Sequence, residues 1–285
     1  MPVDRREIAA DSEPFEITRD GVVLAGERVG SGPPVLLLHG LTATRRYVVH
    51  GSRALERGGH TVIAYDARGH GESTAGRAYD YDALIDDAIA VLDGLGILRA
   101  AIVGQSMGAA TAAGLAIAHP ERVSALVLVT PAHLGAPSAD LERWDRLAAG
   151  LERGGPAGFL EALGPLGVPE RWETAVRTVI QQRLERHRDP AAVASALRAI
   201  PRTRAFDQVE ALAAISVPTL VVGSRDRVDP DHPLAIAERY AGVIPDARLI
   251  TEGASESPIA WRGGSLSAAI LEHLAGVDAL SLINI

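Results

Sequence analysis

Six short apolar runs constrain this chain more than any other feature: "PPVLLLHG" (Pro33–Gly40), "HTVIAYD" (His60–Asp66), "RAAIVG" (Arg99–Gly104), "VSALVLVT" (Val123–Thr130), "VPTLVVG" (Val217–Gly223) and "ARLIT" (Ala247–Thr251). A strand that is apolar at nearly every position has no face to offer water, so it belongs inside a sheet covered on both sides. Helical patterns lie between most of the runs. "DYDALIDDAIAVLDGLGI" places Leu84, Ile85, Ala88, Val91 and Leu92 at helical spacing, with Gly94 and Gly96 punctuating its end. "MGAATAAGLAIAHP" and "HPLAIAERYAGVIP" are similar, each closed by a proline. Ahead of them "FEITRDGVVLAGERV" reads as a hairpin turning at Asp20-Gly21. This alternation predicts an α/β fold, with a mostly parallel central sheet and helices on both faces.

One segment breaks the rhythm. From about Pro131 to Ile215 no strand pattern occurs. "SADLERWDRLAAGLER" opens with Ser138 as its expected N-cap, "PERWETAVRTVIQQRLERHR" opens with Pro169, and "DPAAVASALRAI" has Asp189 as cap and Pro190 in its first turn. "AFDQVEALAAI" reads as a fourth helix. The expected organisation is a core domain, residues 1–131 and 213–285, interrupted by an all-helical lid, residues 132–212.

Composition narrows the partners. A net charge of −8 and a pI near 5.6 leave the surface repelled by nucleic acid and anionic membranes, so the expected partner is a small-molecule substrate. The absence of cysteine excludes disulfides, thiolate nucleophiles and zinc–sulfur sites. No cluster of ligating residues implies a metal or a cofactor, and none is expected. The segment "MPVDRREIAADSEPF" lacks the apolar centre of a signal peptide, and "AATAAGLAIA" is about half the ~20 residues of a membrane span. A soluble, cytoplasmic protein is expected. Oligomeric state is not written in the sequence.

Four strand ends carry candidate chemistry. In "VGQSMGA", Gly104-Gln105-Ser106-Met107-Gly108 spells G-x-S-x-G between a buried strand and a helix of small residues. That context is a nucleophile elbow, where a sharp turn holds a serine out of the sheet. In "LLLHGLTAT", a tight turn at Gly40 offers backbone N–H groups to a developing negative charge, with His39 read as a structural histidine beneath it. "YDARGHGEST" lacks the Gly-Lys-Ser/Thr ending of a phosphate loop, so Asp66, Arg68 and His70 read as loop scaffolding. "VGSRDRVDP" brings Asp226 just past a strand as a candidate orienting acid, with Asp229 and Asp231 as solvated alternatives.

Together and in this order, these motifs resemble the α/β-hydrolase fold superfamily. The nearest likeness is to lidded members such as enol-lactonases and C–C bond hydrolases, and it extends from about Glu16 to Gly276. The resemblance implies a serine nucleophile at Ser106, an acid at Asp226 and oxyanion-hole donors at the amides of Leu41 and Met107. It departs at one place. Where the family sets its histidine after the last strand, this chain reads "EGASESP", with Glu256 in the histidine's position.

Among nine histidines, His60 and His119 lie at strand starts, and His50, His187 and His273 lie in helices. His232 is expected to begin a helix on the sheet's flank. His133, in "VLVTPAHLG", sits just past a strand's C-terminal end, and with Gly40 it is a candidate for substrate binding.

Three readings follow. The first is a hydrolase of a small organic ester, lactone or carbonyl compound, with Ser106 as nucleophile and Glu256 as an atypical base about two pK units weaker than imidazole. The second is a cyclase, lyase or isomerase that uses the oxyanion hole to hold an enolate and Glu256 as acid or base. The third is a degenerate hydrolase that binds a small molecule.

Overall fold

The computed structural model describes residues 12–167, 170–225, 231–253 and 261–283. Their centre is an eight-stranded sheet. Its strands are β1 (Glu13–Arg19), β2 (Val22–Val29), β3 (Pro34–Leu38), β4 (Thr61–Tyr65), β5 (Ala100–Gln105), β6 (Val123–Val129), β7 (Thr219–Val222) and β8 (Arg248–Ile250). Across the sheet the order is β1-β2-β4-β3-β5-β6-β7-β8. β1 and β2 form the expected antiparallel hairpin, turning at Asp20 and Gly21, both with positive φ. β2 pairs antiparallel with β4, and every later pairing is parallel.

All six apolar runs are strands, and their side chains divide by alternation. Leu36, Leu38, Ile63 and Ile102 enter one core with residues of α2 (Tyr81–Gly94), α3 (Met107–Ala118) and α7 (Leu234–Val243). Val35, Leu37, Val62, Val103 and Val127 enter the opposite core with Leu55 of α1 (Ala54–Arg57) and Leu266 and Ile270 of α8 (Gly263–Ile283). A sheet covered on both faces is what apolarity at every position requires.

Between β6 and β7 the chain is helical: α4 (Leu141–Leu163), α5 (Glu170–Leu184) and α6 (Pro190–Ala199). Three details differ from expectation. Asp140, not Ser138, caps α4, accepting from the Arg143 amide at 2.9 Å, while Ser138 Oγ accepts from Trp144 Nε1. α4 also runs past Arg153 across a kink at Gly154 and Gly155, whose φ/ψ are not helical, with Pro156 following. The expected fourth helix is a 3₁₀ segment, Val209–Ala214. Asp189 does cap α6, accepting from the amides of Ala191 and Ala192, with Pro190 in the first turn. Pro169 lies outside the described residues. Among them no helix is long and apolar enough to cross a membrane.

Candidate active site

The site grows from the junction of β5 and α3. Ser106 has φ 55° and ψ −113°, a conformation rarely taken by a residue with a side chain. Two glycines make the junction possible. A Cβ on Gly104 would lie 2.0 Å from the Gly108 carbonyl oxygen, and one on Gly108 would lie 2.1 Å from the Leu38 oxygen. Strands β3 and β5 therefore press backbone to backbone against the first turn of α3, and the serine is turned out between them. Its amide donates to the Val129 carbonyl at 3.0 Å, tying the turn to β6.

Ser106 Oγ lies 2.7 Å from Nε2 of His232. This corrects the expectation that His232 merely starts a helix on the sheet's flank. His232 precedes Pro233, the N-cap of α7, so it stands outside the helix. A residue before proline is held from the α region into extended backbone. Asp231 and His232 form a turn and a bend just ahead of α7, and this bend carries the ring to the serine. The signal was present in the sequence as His-Pro immediately ahead of the helical pattern that follows β7.

The other candidates are placed as follows. Gly40 lies against the serine: a Cβ there would be 3.3 Å from Ser106 Cβ, so the missing side chain keeps the approach open. Leu41 follows in a turn closed by the Ala43 amide donating to the Gly40 carbonyl. Met107 is the first residue of α3, among the amides that no earlier turn of the helix can satisfy. Asp226, Asp229 and Glu256 lie outside the described residues. Asp231 is bound by both guanidinium nitrogens of Arg143, at 2.6 and 3.0 Å.

His133 is packed rather than presented. Its ring stacks on Phe206, with centroids 5.1 Å apart, and meets Tyr81 at 5.4 Å. Its Nδ1 accepts from the Gly135 amide, and burial lowers its pKa to about 4. It is a neutral ring held between Tyr81 and Phe206.

His39 is the structural histidine that was expected. Its Nε2 accepts from the Ala67 amide at 2.9 Å, so Nδ1 carries the proton and donates to the Gly40 carbonyl at 2.8 Å. Burial lowers its pKa. The loop past β4 is scaffolding, as its sequence suggests. Arg68 makes a buried two-point ion pair with Asp87, and Asp66 accepts from the amides of Arg45 and Glu72. His70 and His187 continue a row of rings from His39, with centroid spacings of 5.2 and 5.5 Å.

Backbone strain marks the same rim. Thr42 (φ 67°) follows β3, Ser106 (φ 55°) follows β5, and Thr130 (φ 42°) follows β6. β-branched residues avoid positive φ, and such outliers persist where the surrounding structure over-determines them. Past β7 and β8 a buried carboxylate joins the two strand ends: Glu252 accepts from Ser224 Oγ at 3.0 Å and from the Arg225 amide.

With this geometry in view, the chain is similar to known proteins over most of its length. A family model described as "alpha/beta hydrolase fold" matches residues 33–261. A Variovorax paradoxus (strain S110) protein named "Putative carbamate hydrolase RutD" is 34% identical over 224 residues, 76% of this chain and 82% of that one. The crystal structure of the enol-lactonase from Burkholderia xenovorans LB400 matches with a TM-score of 0.76 and 25% identity, covering 92% of this chain and 100% of that one. A thermophilic esterase from Thermogutta terrifontis, solved with malate bound, matches with a TM-score of 0.76 and 27% identity, covering 93% and 99%.

Proposed function

This chain belongs to the alpha/beta hydrolase fold family, and we propose that it is a serine hydrolase of small acyl compounds in which His232 serves as the base. The observation that carries this is the 2.7 Å contact between Ser106 Oγ and His232 Nε2. A nucleophile and its base within hydrogen-bond reach are the signature of covalent acyl transfer. His232 thus takes the role that the sequence offered to Glu256, and imidazole is the stronger base of the two.

In the proposed reaction Ser106 Oγ attacks the carbonyl carbon while its proton passes to His232 Nε2. The amides of Leu41 and Met107 donate to the oxyanion of the tetrahedral intermediate. The positive end of α3, which opens at Met107, favours the same charge. Collapse of the intermediate expels the leaving group, which takes the proton from His232 and leaves an acyl-serine. Water, deprotonated by His232, then attacks the acyl carbon, releasing the acid and restoring Ser106. Gly40 keeps the carbonyl's approach open, and the helical segment 132–212 acts as a lid.

The acid that orients His232 is one of the two carboxylates nominated by the sequence: Asp226, six positions earlier in the same connection, or Glu256, past the neighbouring strand β8. In the second case acid and base exchange their usual strands. Relatives named as a carbamate hydrolase, an enol-lactonase and an esterase support small esters, lactones and carbamates as the substrates to try.

The test is fluorophosphonate labelling and turnover of p-nitrophenyl acetate by the parent and by Ser106→Ala, His232→Gln, Asp226→Asn and Glu256→Gln. Ser106→Ala should neither label nor turn over. His232→Gln should lose at least about a hundredfold in both. Only one of the two carboxylate variants should approach that loss. Full labelling of His232→Gln would overturn the assignment of the base. If Glu256→Gln were the sole variant to match Ser106→Ala, the carboxylate itself would be the base.

A further inference from the structure

The lid helix α4 reaches across to the loop that carries the base. Arg143 Nη1 donates to Asp231 Oδ1 at 2.6 Å and Nη2 to Oδ2 at 3.0 Å. Such a fork fixes the carboxylate's plane as well as its position, which a single bond or a lysine does not. The next residue in the chain is His232. The guanidinium is itself fixed from the lid side: its carbon lies 5.3 Å above the Trp144 ring, and Trp144 Nε1 donates to Ser138 Oγ at 3.1 Å. Trp144 packs in turn against the apolar cluster inside the lid, beside Leu147, Leu151 and Phe159. An unbroken chain of contacts therefore runs from the lid's own core to the residue beside the base.

We propose that Arg143 is a positioning residue that holds His232 against Ser106 through Asp231, so that the base is fully aligned only while α4 is docked. This rests on the reading of His232 as the base. The loop at His232 needs such a brace. His232 lies in a bend just ahead of Pro233 and stands outside α7. Misplacing a reacting group by about 1 Å is enough to cost on the order of a hundredfold. The side chains of Arg143 and Asp231 are 24% and 33% exposed, so salt reaches the pair and its hold on the loop weakens as ionic strength rises. A lid that carries the brace makes the nucleophile most reactive when substrate is enclosed.

The experiment uses the full chain and a small fluorophosphonate, whose labelling rate reads the reactivity of Ser106 without needing the natural substrate. Arg143→Gln and Asp231→Asn should each slow labelling about tenfold. The double variant should be no slower than the worse single one, since both remove the same brace. With p-nitrophenyl acetate the loss should fall on kcat while KM stays within about twofold. Parent labelling should slow as salt is raised to 1 M, and Arg143→Gln should lose that dependence. Arg143→Lys should recover only part of the rate. Should Asp231→Asn fail to fold, Arg143→Gln and the salt series decide the matter alone. Labelling within twofold of the parent, additive losses, or a change confined to KM would overturn the proposal. Failure of the underlying reading has a separate signature, a His232→Gln variant that still labels at the parent rate.

Discussion

At the scale of a single residue, the serine stores strain. Its φ of 55° is tolerated because the Gly104 and Gly108 contacts leave the turn nowhere else to go. A strained non-glycine position costs about 1–3 kcal/mol, which glycine does not incur. Ser106→Gly should therefore be more stable than Ser106→Ala, by about 1 kcal/mol in urea denaturation. Equal midpoints would mean the turn is unstrained. The same scale shows what sequence could and could not say. Gly104, Ser106 and Gly108 were legible because steric crowding dictates residue type at fixed spacing. The contact of His232 with Ser106 was not legible because it depends on where a loop points, and periodicity assigned His232 to the helix it merely precedes. The pairing of Arg143 with Asp231, 88 positions apart, left no local pattern at all.

At the scale of elements, every strand was readable, β3 to β8 as apolar runs and β1 and β2 as a hairpin marked by its Asp20-Gly21 turn. The helical segment between β6 and β7 was readable in outline and less so at its ends, where short-range competition decides. Ser138 and Asp140 both offer an oxygen near the start of α4. Asp140 reaches the Arg143 amide, and the serine is drawn instead to Trp144. The run read as a fourth helix is a 3₁₀ segment of six residues packed through Val209 and Leu212, too short to hold an α-helix by propensity. The junction of α5 and α6 is tied down more firmly. The Gly71 amide donates to His187 Nδ1 at 2.8 Å, His187 Nε2 donates to the Thr42 carbonyl at 2.9 Å, and the Arg188 amide donates to the Gly71 carbonyl at 2.9 Å. The helical segment is thus tied to the Gly40–Thr44 turn at one end and to Asp231, through Arg143, at the other. Asp189→Ala, which removes the cap next to this fastening, should cost about 1 kcal/mol. It should also raise KM for bulky esters more than for p-nitrophenyl acetate. An unchanged denaturation midpoint would show that the cap is not used.

For the molecule as a whole, buried neutral histidines set the response to acid. His133 and His187 have pKa values lowered to about 4, and His39 and His70 are lowered too, each chiefly by burial. In the unfolded chain each takes up a proton near pH 6.5. The folded state resists that proton, so this contribution to stability is whole above about pH 6.5 and is lost as pH falls toward 4. For His187, which is 7% exposed, the loss should be on the order of 2 kcal/mol by pH 4. Urea midpoints measured from pH 7.5 to 4.5 should fall steadily below 6.5, and a flat profile would mean that these rings are protonated in the fold.

The sheet's outer strands carry a consequence of another kind. An exposed β edge invites a strand from any neighbouring chain, which is how folded molecules seed fibrils and tangled pairs. Here β8 offers only three residues. β1 offers seven, but Pro14 has no N–H to give, and Glu13, Glu16 and Arg19 set charge along the strand. Neither margin is a good template for a stranger's backbone. At high concentration the molecule should resist recruitment through its sheet, leaving the long parallel interior, with its fibril-like composition, sealed between its two layers of helices.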